Sequence, residues 1–206
     1  MNIQNMHIGV TLHLDRVASN ANDGLLPEEI DYYLNRTIED YILEQYNYLK
    51  SEEESISSQQ VLENLRTVLK TDDLAIVSEI NEFYHEFSLP DDYLYFVFAI
   101  YTSNNTSKNV TLLSKPALKP YLVTEYNSPL FREHPITIEN DKVYLYFNSD
   151  EELSPNLEFT YIKEPAVVDL ENTINCDLPS HTHSTIVKQT AMNIARDLGY
   201  SIDNEQ

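Results

Sequence analysis

The chain has 206 residues, an ordinary hydrophobic fraction of 42%, and 13 basic against 34 acidic side chains for a formal net charge of −21. That length suffices for one domain with a real core, and that charge rules out a phosphate backbone as principal ligand, because such affinity comes from Lys and Arg displacing counterions. No apolar run approaches the roughly 20 residues of a membrane-spanning helix. The stretch MNIQNMHIGV lacks the basic flank and apolar core of a secretory signal, so the chain is expected to stay in the cell that makes it.

In chain order, HIGVTLHLDRVA is ambiguous. Ile8, Val10, Leu12 and Leu14 alternate as in a strand, whereas Met6, Val10, Leu14 and Val17 fit a helix, which is the preferred reading. NDGLLPEEIDYYLNRTIEDYILEQYNYLK then gives a turn at Asn22-Asp23-Gly24, Pro27 at a first helical position, and Glu28 and Glu29 where the helix dipole favours anions. Ile30, Leu34, Ile38, Tyr41, Ile42 and Leu49 follow at helical spacing, predicting a helix over 27–50. After an acidic loop, QQVLENLRTVLK places Val61, Leu65, Val68 and Leu69 on one face of a further helix.

The chain then becomes β-rich. DDYLYFVFAIYTSN, VTLLS, YLVTEY, DKVYLYFN and LEFTYIK are five strand candidates separated by Asn, Pro and Asp turn signals. The end returns to helix, with Ile186, Thr190, Ala191, Ile194 and Leu198 on one face and Gly199 as C-terminal cap. The expected fold class is α+β: N-terminal helices and a C-terminal helix packed together, with a central small β-sheet lobe. Within one subunit over 1–206, the helical part is read as 1–70 and the β-rich lobe as 75–165. A C-terminal helix over 178–200 packs back on the helical part.

Chemistry is sparse. Gly9, Gly24 and Gly199 are isolated from one another, which excludes a glycine-rich phosphate cradle. CDLPSHTHSTIV offers Cys176, His181 and His183 as three soft ligands, but His-x-His on a turn lacks the spacing of common zinc sites. Asp177, Ser180, Thr182, Ser184 and Thr185 are cap-type residues, so the entrance of a helix is the better account. On that account, exchanging both histidines for Ala costs about 1 kcal/mol or less. A cytosolic metal-dependent hydrolase built on Cys176, His181 and His183 is the alternative from another class. Tyrosine stands out: there are 15 and no Trp. Tyr32, Tyr33, Tyr41, Tyr46 and Tyr48 share one helix, more than a core stripe can take, which makes Tyr32 and Tyr48 candidates for a subunit interface.

Taken together, HLDRVASNANDGLLPEEIDYYLNRTIEDYILEQYN resembles the N-terminal pattern of the head-to-tail connector (ring or adaptor) proteins of crAss-like and related Bacteroidetes tailed phages. The shared elements are Leu-Asp-basic-x-x-Ser, a short loop, a Pro-Glu-Glu-Ile-Asp helix start, and Leu-Asn. Near the other end, Tyr161-Ile-Lys-Glu-Pro165 resembles the family's Tyr-x-Lys-x-Pro strand end, Cys176-Asp-Leu-Pro179 its Cys-x-Leu-Pro, and His183-x-x-Ile-Val187 its His-x-Glu-Ile-Val helix entry. Thr185 stands where the pattern usually has Glu. The two blocks cover about a third of the chain; residues 50–155 match only as generic sheet.

The resemblance implies a non-enzymatic virion component, made in the bacterial host cytoplasm and needing no cofactor or metal. It would form a dodecameric ring below the portal, with copies of itself alongside, the portal protein or an adjacent connector ring above, and a tail component below. A tail or baseplate ring is the nearest alternative. Genomic DNA would pass through without specific binding, and an acidic wall suits that, since it repels phosphates. Glu52, Glu53 and Glu54 are the first candidates to line the channel, with Asp150, Glu151 and Glu152 as the alternative. The Cys and His residues would mark a joint between sheet and helix.

Overall fold

The computed structural model describes residues 1–17, 25–51, 56–81, 84–103, 106–123, 133–147 and 156–200. In chain order its elements begin with helices α1 (Ile3–Val17), α2 (Pro27–Ser51) and α3 (Ile56–Leu65), then strands β1 (Leu69–Leu74), β2 (Ile76–Asn81), β3 (Tyr84–Ser88), β4 (Tyr93–Ser103) and β5 (Thr106–Leu112). Helix α4 (Lys115–Val123), strands β6 (His134–Glu139), β7 (Lys142–Tyr146) and β8 (Asn156–Lys163), and helix α5 (His183–Asp197) follow. The fold is α+β, with N-terminal helices and a C-terminal helix packed together. No helix among the described residues is long and apolar enough to cross a membrane. The chain divides into a helical unit, Met1–Val68 with Pro165–Gln206, and a sheet unit, Leu69–Glu164.

In the helical unit, the start of α2 follows from its first residues. Pro27 needs no hydrogen-bond acceptor, and the Glu29 carboxylate accepts from the Leu26 N–H at 2.8 Å, one half of a capping box. Ile30, Leu34, Ile38, Tyr41 and Ile42 then form the buried stripe that the spacing predicts. α1 is a helix, burying Ile3, Met6, Val10 and Leu14. Its strand-like alternation came from Ile8 and Leu12, which point to solvent. α5 buries Ile186, Val187, Thr190, Ala191 and Ile194 and ends in a Schellman motif. Gly199, at φ 81°, donates to the Arg196 carbonyl, and the Tyr200 N–H donates to that of Ala195. Leu198, expected on the buried face, is exposed because it is the capping residue where the helix unwinds.

α1 and α5 approach closely at Gly9, where an added Cβ would lie 2.8 Å from Val187 Cγ1. Gly9→Ala is therefore expected to destabilise. Overpacking costs about 1–3 kcal/mol, which outweighs the gain of about 1 kcal/mol for Ala over Gly in a helix. Thermal unfolding checks this, and a variant that melts above the wild type would refute the close approach.

Two expectations are corrected between residues 65 and 126. Val68 and Leu69 do not extend α3: the helix stops at Leu65, a turn from the Val68 N–H to the Leu65 carbonyl follows, and Leu69 opens β1. The start of YLVTEY is the end of α4 rather than a strand, and its remainder lies outside the described residues. The reason is topological. β5 and β6 are parallel neighbours, and parallel neighbours need a crossover, which α4 supplies.

Among the described residues the sheet has eight strands in the order β1-β8-β4-β5-β6-β7-β3-β2. β1 and β2 are its opposite edges, yet only Ala75 separates them in sequence. Consecutive Cα atoms are about 3.8 Å apart, so the sheet must curl until its two edges come together at that residue. The Ser88 N–H donates to the Ala75 carbonyl and ties β3 to the corner. β6 and β7 form a two-residue hairpin through Asn140 and Asp141, whose φ of 47° and 62° match the twist-compatible turn these residue types favour. Leu157, Phe159 and Tyr161 of β8 meet Phe87, Ile136, Val143 and Leu145 in the core of the curl.

Buried beside that core is an imidazole with both ring nitrogens unpaired among the described residues. His85 is 2% exposed, stacks on Phe147 at 4.3 Å, and has no hydrogen-bond partner for either ring nitrogen among the described residues. Burial pushes its pKa below the ordinary value of 6.5. The unfolded chain therefore binds a proton that the folded chain refuses, so the stability present above pH ~6.5 falls by up to about 1.4 kcal/mol per pH unit on acidification, until the folded pKa is reached. His85→Phe is expected to flatten melting temperature against pH below 6.5, leaving a residual slope from His183, whose pKa burial also lowers. An unchanged profile would show that His85 is not the acid-labile point.

Candidate functional site

The segment that sequence singled out, 176–187, is a joint whose polar groups face different ways. Cys176 is buried, and burial raises the pKa of its thiol, the opposite of what an activated thiolate requires. His183 is also buried. Its Nε2–H donates to the Leu178 carbonyl at 2.7 Å, and its Nδ1 lies 2.8 Å from the Met1 nitrogen, so both ring nitrogens are engaged. His181 turns outward and meets Asn64 Oδ1 at 2.9 Å. The two imidazoles thus do not converge, and no group of three His, Cys, Asp or Glu suited to a metal occurs among the described residues.

The cap reading needs correction. Thr182 is the N-cap residue, but its hydroxyl donates back to the Pro179 carbonyl and makes no cap bond. Its backbone already has helical angles, φ −83° and ψ −21°, and the turn over 179–182 runs straight into α5. The Asp177 carboxylate accepts from the Ala166 N–H instead. Cheap exchange of both histidines is likewise expected of His181 alone, since losing the His183 ring would break two hydrogen bonds and open a buried space.

A denser polar constellation lies on α2. Asp31 accepts from His7 Nε2 at 2.7 Å through one oxygen and from the Leu170 N–H at 3.0 Å through the other. One turn on, Asn35 pairs with Val168 as a strand would: its Oδ1 accepts from the Val168 N–H at 2.8 Å and its Nδ2 donates to the Val168 carbonyl at 3.0 Å. Val168 and Leu170 lie outside helix and strand, and these two side chains satisfy their backbone groups, while Asp169 between them pairs with Ile174 in a β-bridge. Asp31 and Asn35 belong to the first sequence block that resembles the connector proteins, and Val168 and Leu170 lie between the Tyr161–Pro165 and Cys176–Pro179 motifs near the other end. The helix start Pro-Glu-Glu-Ile-Asp was legible in sequence; the clip it makes was not.

In the sheet unit, sequence reasoning missed a second cluster. The Tyr161 hydroxyl lies 2.8 Å from Asp72 Oδ2 and 2.7 Å from Asp92 Oδ1, while Lys70 Nζ bridges the same carboxylates at 3.0 and 3.3 Å. Burial, then the bond to Asp92, raises the tyrosine pKa; the hydroxyl in turn lowers that of Asp92, and the Lys70 pKa is raised. The group ties edge strand β1 to the turn before β4, and Lys70 supplies the charge that lets two carboxylates share one hydroxyl. The available signal was Tyr161 itself, in the Tyr-x-Lys-x-Pro stretch.

Of the candidate interface tyrosines, Tyr32 is 63% exposed on the side of α2 away from its buried stripe, and Tyr48 is 53% exposed near the helix's C-terminal end, in line with the stripe. Glu52, Glu53 and Glu54, and likewise Asp150, Glu151 and Glu152, lie outside the described residues. Two grooves flank α5. One of about 300 Å³ lies between Asp40 and Glu44 of α2 and Arg196 of α5; the other, of about 620 Å³, lies between His13 of α1 and Lys188 and Met192 of α5. Among the described residues these features are polar clips and exposed helix surfaces on an α+β fold. No family model and no curated protein matches the chain, so its likeness to connector proteins rests on the quoted motifs.

Proposed function

We propose that the chain is a structural virion protein, a subunit of a ring in the head-to-tail connector of a tailed phage. The observation that carries this reading is the clip of Asp31 and Asn35 on Val168 and Leu170. Asp31 and Asn35, inside the first connector-like block, hold backbone that lies between the Tyr161–Pro165 and Cys176–Pro179 motifs of the second, so the two stretches share one joint. The acidic composition agrees with a conduit, because a negative wall gives DNA no counterion-releasing hold. The ring stacks copies of the chain around the channel, against the portal or an adjacent ring above and a tail component below.

The test is the particle. Purified virions should contain the chain in multiple copies at the neck, seen by mass spectrometry and averaged electron micrographs, and its loss should yield DNA-filled heads without tails. Particles that lack the chain yet remain infectious would overturn the proposal.

A further inference from the structure

The surplus of tyrosine has a second concentration, on the sheet unit. In the β3–β7 ladder Tyr84 stands opposite Tyr146, and Tyr144 opposite Glu86. Strand alternation puts these side chains on the side of the sheet away from Phe87, Val143 and Leu145, which fill the core. All three rings are half-buried. Tyr84 leans edge-on against Tyr144, with centroids 5.5 Å apart and planes at 77°, and lies 5.7 Å from Tyr146 at 54°. Two ion pairs flank the rings: Lys115 of α4 donates to Glu139 at 2.7 Å, and Lys142 donates to Glu86. Each lysine pKa is raised, first by its carboxylate and further by neighbouring tyrosines, Tyr146 and Tyr144 for Lys115, Tyr144 and Tyr84 for Lys142. Both ammoniums therefore stand beside the tyrosine hydroxyls, and none of those three hydroxyls is hydrogen-bonded among the described residues.

We propose that this face, Tyr84, Tyr144 and Tyr146 between Lys115 and Lys142, docks a proline-rich segment of a partner protein in the polyproline II conformation. Rings set edge to face form furrows between them, which suit the pyrrolidine rings of such a helix. Its backbone carbonyls are unbonded and its prolines carry no N–H, so it needs donors, and the hydroxyls supply them. A nucleic-acid base requires a flat ring to stack on and cations for its phosphates; here the rings are tilted and both lysines are paired. The occupant is another protein, because the prolines of this chain are scattered and the nearest two, Pro116 and Pro120, lie within helix α4. The inference does not depend on the ring reading.

The probe is fluorescein-labelled decaproline, titrated into the purified full chain and followed by anisotropy. Saturable binding is expected, with none for a glycine-serine peptide of the same length. Tyr144→Ala should weaken it about tenfold or more, and Tyr144→Phe, which keeps the furrow and loses one donor, about threefold. Tyr32→Ala, in the helical unit, should bind as wild type, and circular dichroism checks each fold. Absence of decaproline binding by the wild type would overturn the proposal, as would equal binding by both Tyr144 variants. Labelled oligothymidine or maltohexaose binding in place of decaproline, and lost in Tyr144→Ala, would assign the face to a different ligand and overturn it too. Should Tyr144→Ala fail to fold, decaproline tipped with benzoylphenylalanine is photo-crosslinked to the wild type. Adducts on β3, β7 or α4 support the assignment, and adducts elsewhere refute it.

Discussion

Leu34→Asp is expected to unfold the helical unit. Leu34 is fully buried at the middle of the α2 stripe, between Ile30 and Ile38. The substitution removes about 1.5–3 kcal/mol of apolar burial and adds several kcal/mol for a carboxylate without a partner in the core. The sum, about 5 kcal/mol or more, is comparable with the whole stability of a marginal domain. Far-UV circular dichroism should show loss of helix at room temperature. Tyr32→Ala, on the side of the same helix away from the stripe, and Tyr48→Ala, exposed near its C-terminal end, should change stability by about 0.5 kcal/mol or less while weakening association between copies. A Leu34→Asp protein that melts within a few degrees of wild type would mean that α2 does not carry the core. Tyrosine variants that melt as it does would remove the outer face from consideration as an interface.

The contrast explains which parts of the fold the sequence revealed. α2 and α5 were legible because their apolar residues repeat at 3.6 and their ends carry their own signals, Pro27 with Glu29 at one and Gly199 at the other. α1 was half legible: its exposed Ile8 and Leu12 overlay a second period on the first. β1 was hidden because Val68 and Leu69 continue the spacing of Val61 and Leu65, and no local residue announces the stop at Leu65. β2, β3 and β6 were missed for a different reason. IVSEIN, YHEFS and HPITIE mix apolar with charged, His or Pro residues, and β3 is held by non-local pairing to β7 and β6 by parallel pairing to β5, which no short window can contain. The polar clips escaped for the same cause, since Asn35 and Val168 lie far apart in sequence and only the folded chain makes them partners.

Loss of that clip has the second large expected effect. Asn35→Ala deletes the amide that donates to the Val168 carbonyl and accepts from its N–H, and Val168 is buried, so water cannot freely replace either bond. Each buried backbone group left unpaired costs about 1–3 kcal/mol, which puts the loss at about 2–4 kcal/mol. Asn35→Asp is not a mild alternative. It keeps an acceptor for the Val168 N–H but turns a carboxylate oxygen toward the Val168 carbonyl, one turn from Asp31, which already holds His7 and the Leu170 N–H. Both variants should therefore unfold at lower urea than wild type, with faster hydrogen exchange at the Val168 amide while the sheet unit keeps its protection. Were Asn35→Ala to match wild-type stability within about 0.5 kcal/mol, the clip would be ornamental. The convergence of the two connector-like blocks would then lose its physical basis. If instead the loss appears and exchange rises at residues 168–170 alone, Asn35 of the helix start holds that backbone segment in place.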